Sequence, residues 1–238
     1  MDTKVKICGI KTIEEVAIIN QYPLDYAGFI FAPSKRQMTK DKAKTLIDML
    51  GSHIKPIGVF VDHSFDEMVE IINYCNLYGV QLHGDYKQDF EYAKKLKRLI
   101  ISKGIQLKVI WKSISIGKGS GEKGSGDYTK NLDRDETDHI KKIKIDIENM
   151  EPYVDAILFD TYKKGEKGGT GEVFNWELLD AFEVKVERIL AGGLSPDNIV
   201  DAIHTVRPDT VDVNSSLEVE LIKTKEKVDR LFNRLKEV

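Results

Sequence analysis

The sequence predicts a single-domain α/β protein, a (βα)8 TIM barrel of eight parallel strands spanning residues 1–238, and three observations carry that expectation. Short runs rich in β-branched and aromatic residues alternate with helical patterns at about 30-residue intervals, the length of a strand, its crossover helix and their turns. Parallel neighbours require a crossover, and eight such units close on themselves. Four of the runs end in chemically loaded residues: KICGI (Lys6 to Ile10), QLHG (Gln81 to Gly84), LFDT (Leu158 to Thr161) and VDVN (Val211 to Asn214). A thiol, an imidazole and two carboxylates at the carboxyl ends of separate strands is how such a barrel assembles an active site. The rival open sheet is disfavoured by the strand count and by the absence of a Gly-x-Gly-x-x-Gly turn after the first strand.

In order, the strand-like runs are Val5–Ile10, Ala27–Phe31, Pro56–Val61, Val80–His83, Lys108–Ser113, Ala156–Asp160, Arg188–Ala191 and Thr210–Val213. Between them the apolar residues recur at helical spacing over Ile13–Gln21, Lys40–Leu50, Phe65–Asn76, Asp89–Leu99, Asp138–Met150, Trp176–Phe182, Asp197–Val206 and Thr224–Glu237. Thr12, Ser64 and the Ser195-Pro196 pair stand where helix starts are expected. One segment breaks the rhythm. Gly117–Asp138, beginning GKGSGEKGSGD, has almost no apolar content and reads as a flexible Gly/Ser/Lys-rich insertion after the fifth strand.

Composition narrows the function class. Hydrophobic residues make up 41% and charged residues 32%, and the formal net charge is −3, which points away from disorder and away from a nucleic-acid partner. No apolar run approaches the roughly 18 residues of a membrane span, and MDTKVKICGI lacks the apolar core of a signal peptide. The expectation is a cytoplasmic enzyme with a small-molecule partner, of unspecified oligomeric state. Cys8 and Cys75 are too few for a disulfide framework and are expected to be reduced.

Residue types alone leave choices open. Cys8, where the first strand turns into its loop, reads either as a buried structural thiol or as a base facing the barrel mouth. Asp160 is either a loop-ordering carboxylate or a catalytic acid, and His83 either a satisfied strand-end histidine or a functional one. Asp212 alternates with Val211 and Val213, so it points inward while the valines pack outward; an inward charge is costly unless paired or used. Arg36, in FAPSKR, offers a planar guanidinium that can clamp a carboxylate with two hydrogen bonds. Gly168–Gly171, Gly192–Gly193 and Asn214–Ser216 follow the sixth, seventh and eighth strands, the order in which barrels of this type hold a phosphate on backbone N–H groups.

Together these residues resemble the phosphoribosylanthranilate isomerase family of tryptophan biosynthesis. The match runs in order through nearly the whole chain: KICGI, GFIFAPSKR, GVFV, QLHG, LFDT, GGTG followed by FNW, LAGGL and DVNSSLE. The resemblance implies Cys8 as general base, Asp160 as general acid and Arg36 as the ligand of the anthranilate carboxylate. It implies substrate positioning by His83 and Asp212, and phosphate binding by Gly169, Gly171, Gly192 and Gly193 with Ser215 and Ser216. Three features depart from the family pattern: the short FAPSKR loop, Asn214 and Ser216 in place of a serine and a glycine, and the long insertion after the fifth strand.

The implied reaction is an Amadori rearrangement of N-(5'-phosphoribosyl)anthranilate to 1-(o-carboxyphenylamino)-1-deoxyribulose 5-phosphate, two proton movements with no redox step. It requires no cofactor and no metal, and the sequence has no HExxH or paired Cys/His spacing that would hold one. Two other readings stand beside it. One is the histidine-biosynthesis isomerase that performs the same rearrangement on a larger substrate, which works with two carboxylates where this chain has Cys8 at the first strand. The other is a phosphate-binding barrel without catalysis, against which Cys8 and Asp160 argue.

Overall fold

The computed structural model describes residues 3–116, 134–160 and 176–238, the side chains of 134–137 excepted. Eight strands form one closed barrel in sequence order: β1 (Lys4–Cys8), β2 (Tyr26–Ile30), β3 (Lys55–Phe60), β4 (Gly79–Leu82), β5 (Val109–Ser115), β6 (Ala156–Asp160), β7 (Glu187–Ala191) and β8 (Thr210–Val213). Every neighbouring pair is parallel, and β1 closes the ring against β8 with Lys6 beside Asp212.

The crossovers run outside the ring: α1 (Ile13–Ile19), α2 (Lys40–Ile47), α3 (Phe65–Cys75), α4 (Tyr86–Ile101), α5 (Arg134–Met150), α6 (Ile199–Val206) and α7 (Lys225–Leu235). Thr12 caps α1 reciprocally with Glu15, and Ser64 caps α3, as their positions in the sequence predict. The predicted start of the helix after β7 needs correction. Asn198, not Ser195, is the N-cap residue of α6, and it makes no side-chain cap bond because its side chain is spent on the preceding turn: Oδ1 accepts from Ser195 N (2.8 Å) and Nδ2 donates to the Gly193 carbonyl (3.0 Å). The predicted helix Trp176–Phe182 is a 3-10 helix over Trp176–Ala181, burying Trp176 and Leu179, a three-residue spacing at which 3-10 side chains align. Of the insertion, Arg134–Asp138 belongs to α5; the rest, like Gly168–Gly171, lies outside the described residues. A two-stranded antiparallel hairpin after β8, β9 (Glu218–Val219) and β10 (Ile222–Lys223), is too short to have left a period in the sequence.

Strand alternation divides the core in two. Val5, Ile7, Val80, Leu82, Ile157, Phe159, Val211 and Val213 join the apolar layer between strands and helices. Tyr26, Ile57, Trp111, Ala156, Leu158 and Ile189 pack inside the ring, with the Tyr26 and Trp111 rings edge to face at 4.9 Å. By the same alternation Lys6, Cys8, Gln81, His83, Asp160 and Asp212 face inward, above an apolar floor.

Candidate active site

The thiol and the carboxylate expected to do the chemistry sit at the carboxyl ends of β1 and β6. Those strands stand three places apart around the ring, so the two groups face each other across one mouth. Cys8 is buried, opposite Gly28 on β2; a Cβ at Gly28 would stand 2.6 Å from the Cys8 sulfur, so only glycine leaves it room. Gly9 turns the chain out of β1 at φ +75°, a conformation other residues adopt at a cost.

Beneath the thiol lies a charged layer that residue types had only half shown. Lys6, with no exposed surface, donates to Asp212 Oδ2 (2.5 Å) and to Gln81 Oε1 (2.6 Å). Burial works against the ammonium more than any one neighbour favours it, but Asp212 and Cys8 together outweigh burial and hold Lys6 charged, above its ordinary pKa. Asp212 is itself pushed up by burial, which Lys6 only partly offsets, and its Oδ1 has no partner among the described residues. Cys8 feels the same balance: burial raises its pKa and Asp212 adds to the rise, while the cations Lys6 and Lys223 pull it down without winning. The thiol is therefore protonated in the free protein at neutral pH.

On β4, His83 Nε2 lies 3.9 Å from Asp160 Oδ2 on β6. Burial lowers the His83 pKa, with Lys112 and Lys6 acting in the same sense, against the raising influence of Asp160, so the imidazole is neutral near pH 7. Just outside the ring, Lys112 donates to Asp89 Oδ2 (2.6 Å) and to the Gly84 carbonyl (3.1 Å), while the Gly84 N–H donates to Asp89 (2.9 Å). That buried triad fixes the turn that follows His83.

Arg36 sits where the loop after β2 reaches the mouth, but its guanidinium is already engaged. Nε and Nη2 donate to Glu218 Oε1 and Oε2 at 2.7 and 2.5 Å. Glu218 also accepts from Lys223 Nζ (3.0 Å). Of the expected phosphate ligands, Gly192 and Gly193 take φ +85° and +65° after β7, and Ser215–Ser216 lie in a 3-10 helix after β8. The Ser216 hydroxyl donates to the Leu194 carbonyl (2.7 Å), which brings these two loops together. Gly169 and Gly171 fall outside the described residues.

Sequence reasoning missed Lys6, Gln81, Glu218, Lys223 and the Lys112–Asp89 pair. Lys6 carried a readable signal, since two residues before Cys8 on a strand places it on the same face as the thiol. Glu218 and Lys223 carried none, because the hairpin that joins them leaves no pattern.

Comparison with known proteins points to one family and one fold. The family model of N-(5'-phosphoribosyl)anthranilate (PRA) isomerase matches residues 5–112 and 129–234. The chain is 35% identical over 233 residues to the N-(5'-phosphoribosyl)anthranilate isomerase of Thermoanaerobacter sp. (strain X514), covering 98% of both. It is 38% identical over 236 residues to that of Bacillus cereus (strain B4264), again covering 98% of both. The crystal structure of phosphoribosyl anthranilate isomerase from Thermotoga maritima superposes with a TM-score of 0.73 at 28% identity, over 99% of this chain and 100% of that one. A crystal structure of such an isomerase in complex with reduced 1-(o-carboxyphenylamino)-1-deoxyribulose 5-phosphate superposes at 0.70 with 26% identity, over 99% and 100%.

Proposed function

The chain belongs to the N-(5'-phosphoribosyl)anthranilate isomerase family, and from that premise we propose how its residues divide the work. It is an isomerase of tryptophan biosynthesis, acting on N-(5'-phosphoribosyl)anthranilate. A single barrel domain, working in the cytoplasm on a phosphosugar, carries the whole reaction.

Asp160 donates a proton to the furanose ring oxygen, so the ring opens to a Schiff base. Cys8, once it has released its own proton to solvent, then removes the proton from C2' as a thiolate, giving an enolamine that tautomerises to the ketone. The cationic Schiff base supplies the charge that a buried thiolate needs, and Lys6 and Lys223 add to it from below. His83 and Asp212 position the sugar between acid and base, with the neutral His83 imidazole beside Asp160. Arg36 takes the anthranilate carboxylate. The phosphate lies on the backbone N–H groups of Gly169, Gly171, Gly192 and Gly193 and of the Ser215–Ser216 turn.

One observation carries the assignment: a cysteine and an aspartate at opposed strand ends of one mouth, in a chain of this family. Disappearance of substrate fluorescence on mixing enzyme with N-(5'-phosphoribosyl)anthranilate is the direct test. Turnover that depends on both Cys8 and Asp160 is expected; turnover untouched in Cys8→Ala would remove the cysteine from the mechanism. Inorganic phosphate is expected to compete with substrate.

A further inference from the structure

The contact between Arg36 and Glu218 has a direction. Lys223 has no exposed side-chain surface, Glu218 has 4% and Arg36 has 20%, so the three charges step outward from the core to the mouth. Glu218 holds Arg36 by its Nε and Nη2 edge, the side-on arrangement, which leaves Nη1 outside that clamp. Burial alone would push the Glu218 carboxyl up, yet Arg36 and Lys223 outweigh it and hold it below the usual carboxylate range. The acid is therefore an anion that anchors the arginine throughout the working pH range.

The backbone around this contact is shaped for it. Glu218 and Lys223 are cross-strand partners in the β9–β10 hairpin. Its two central residues, Glu220 and Leu221, take φ +50° and +66°, the signs a two-residue type I′ turn demands, although neither is glycine. Non-glycine residues in that region persist only where the surroundings over-determine them. The surroundings here include Glu15, which accepts from Lys223 N (2.9 Å), and the Gly9 carbonyl, which accepts from Lys223 Nζ (3.2 Å). At Gly9 a Cβ would stand 2.7 Å from Arg36 Cδ, so the loop after Cys8 is also cut to fit the arginine stem.

We propose that Glu218 is a positioning residue for the substrate carboxylate, fixing the Arg36 guanidinium so that its outer edge meets that group already oriented. Lys223 anchors Glu218 in turn. The inference rests on the reading that Arg36 binds the anthranilate carboxylate, and it adds that Arg36 does so only as well as Glu218 holds it. A guanidinium has several rotamers to lose on binding, and a clamp made beforehand removes that loss from the binding step.

The test compares Glu218→Gln, Arg36→Ala and the double variant, with the natural substrate and with N-(5'-phosphoribosyl)aniline, which lacks the carboxylate. In Glu218→Gln the KM for the natural substrate is expected to rise by about 10- to 100-fold, the worth of a charge-assisted hydrogen bond, while kcat and inhibition by inorganic phosphate barely move. The double variant should match Arg36→Ala, and kinetics with the aniline analogue should be unchanged by Glu218→Gln. An unchanged or lowered KM in Glu218→Gln, with a raised one in Arg36→Ala, overturns the role of Glu218 and leaves that of Arg36 standing. An unchanged KM in Arg36→Ala overturns the underlying reading instead. Should Glu218→Gln fail to fold with Lys223 stranded, Glu218→Asp keeps a charge for Lys223 on a side chain one methylene shorter, withdrawn from Arg36, and is read by the same criteria.

Discussion

Replacing Lys6 with methionine isolates the energetic weight of the layer below the thiol. The side chains of Lys6 and Asp212 are 0% and 7% exposed, and Asp212 Oδ1 already lacks a partner among the described residues. Lys6→Met therefore strands a buried carboxylate and also deprives Gln81 Oε1 of its donor. Removing one member of a buried ion pair costs about 3–5 kcal/mol, and for a chain of this size each kcal/mol moves Tm by about 2–4 °C. A fall of roughly 6–20 °C is expected by thermal and urea denaturation followed by circular dichroism. Lys6→Met with Asp212→Leu replaces both charges by apolar groups and should recover most of that loss, because a buried pair roughly balances its own desolvation. A single variant within about 1 kcal/mol of wild type would refute the reasoning, since a pair truly sealed from water cannot lose one charge so cheaply. So would a double variant as unstable as the single one.

Asp160→Asn keeps the shape of the acid but cannot donate its proton; turnover is expected to fall by about 10²–10⁴-fold with the fold intact, and near-wild-type turnover would exclude Asp160 from the chemistry. Cys75 has no exposed surface on α3 and its thiol donates to the Lys40 carbonyl (3.4 Å), whereas Cys8 stands at the mouth, so Cys8 should be alkylated first and be protected by a substrate analogue. Peptide mapping that found Cys75 reacting first would reverse that order. Because Cys8 titrates above its ordinary value of 9.0, its rate of alkylation, which follows the thiolate fraction, is expected to climb with pH from 7 to 9, not to level off near neutrality. A plateau already reached at pH 7 would mean that the thiol is ionised in the free protein.

The strands and most helices were legible because each repeats one period over enough residues. Val211, Asp212 and Val213 announced an inward carboxylate by alternation alone, and Thr12 and Ser64 announced helix starts by residue type. The start of α6 was not legible: Ser195-Pro196 is a good local signal, but the Asn198 side chain serves the turn it leaves instead of the helix it opens. Local propensity cannot show which of two local partners a side chain takes. The environment of Cys8 was hidden for another reason. Lys6 bonds Gln81 across 75 residues and Asp212 across 206, and Lys223 reaches the Gly9 carbonyl across 214. These contacts exist only because the ring closes, β8 onto β1, and closure belongs to the whole chain and to no segment of it.

That closure also bears on how a buried cysteine would serve as the base of the proposed reaction. A thiol at the end of an isolated strand would meet water, and its proton would be set by solvent. Inside the closed ring it is desolvated, which raises its pKa, while two lysines drawn from β1 and the hairpin after β8 oppose the rise. A base of that kind is weakly ionised until a cation arrives, and once ionised it is strong, because the water that would have stabilised it has been excluded. In the proposed reaction the cation is the Schiff base, formed only after Asp160 has opened the ring. In that reading the acid acts first, and the iminium it creates both acidifies the C2' proton and stabilises the thiolate that remains once Cys8 has released its own proton to solvent.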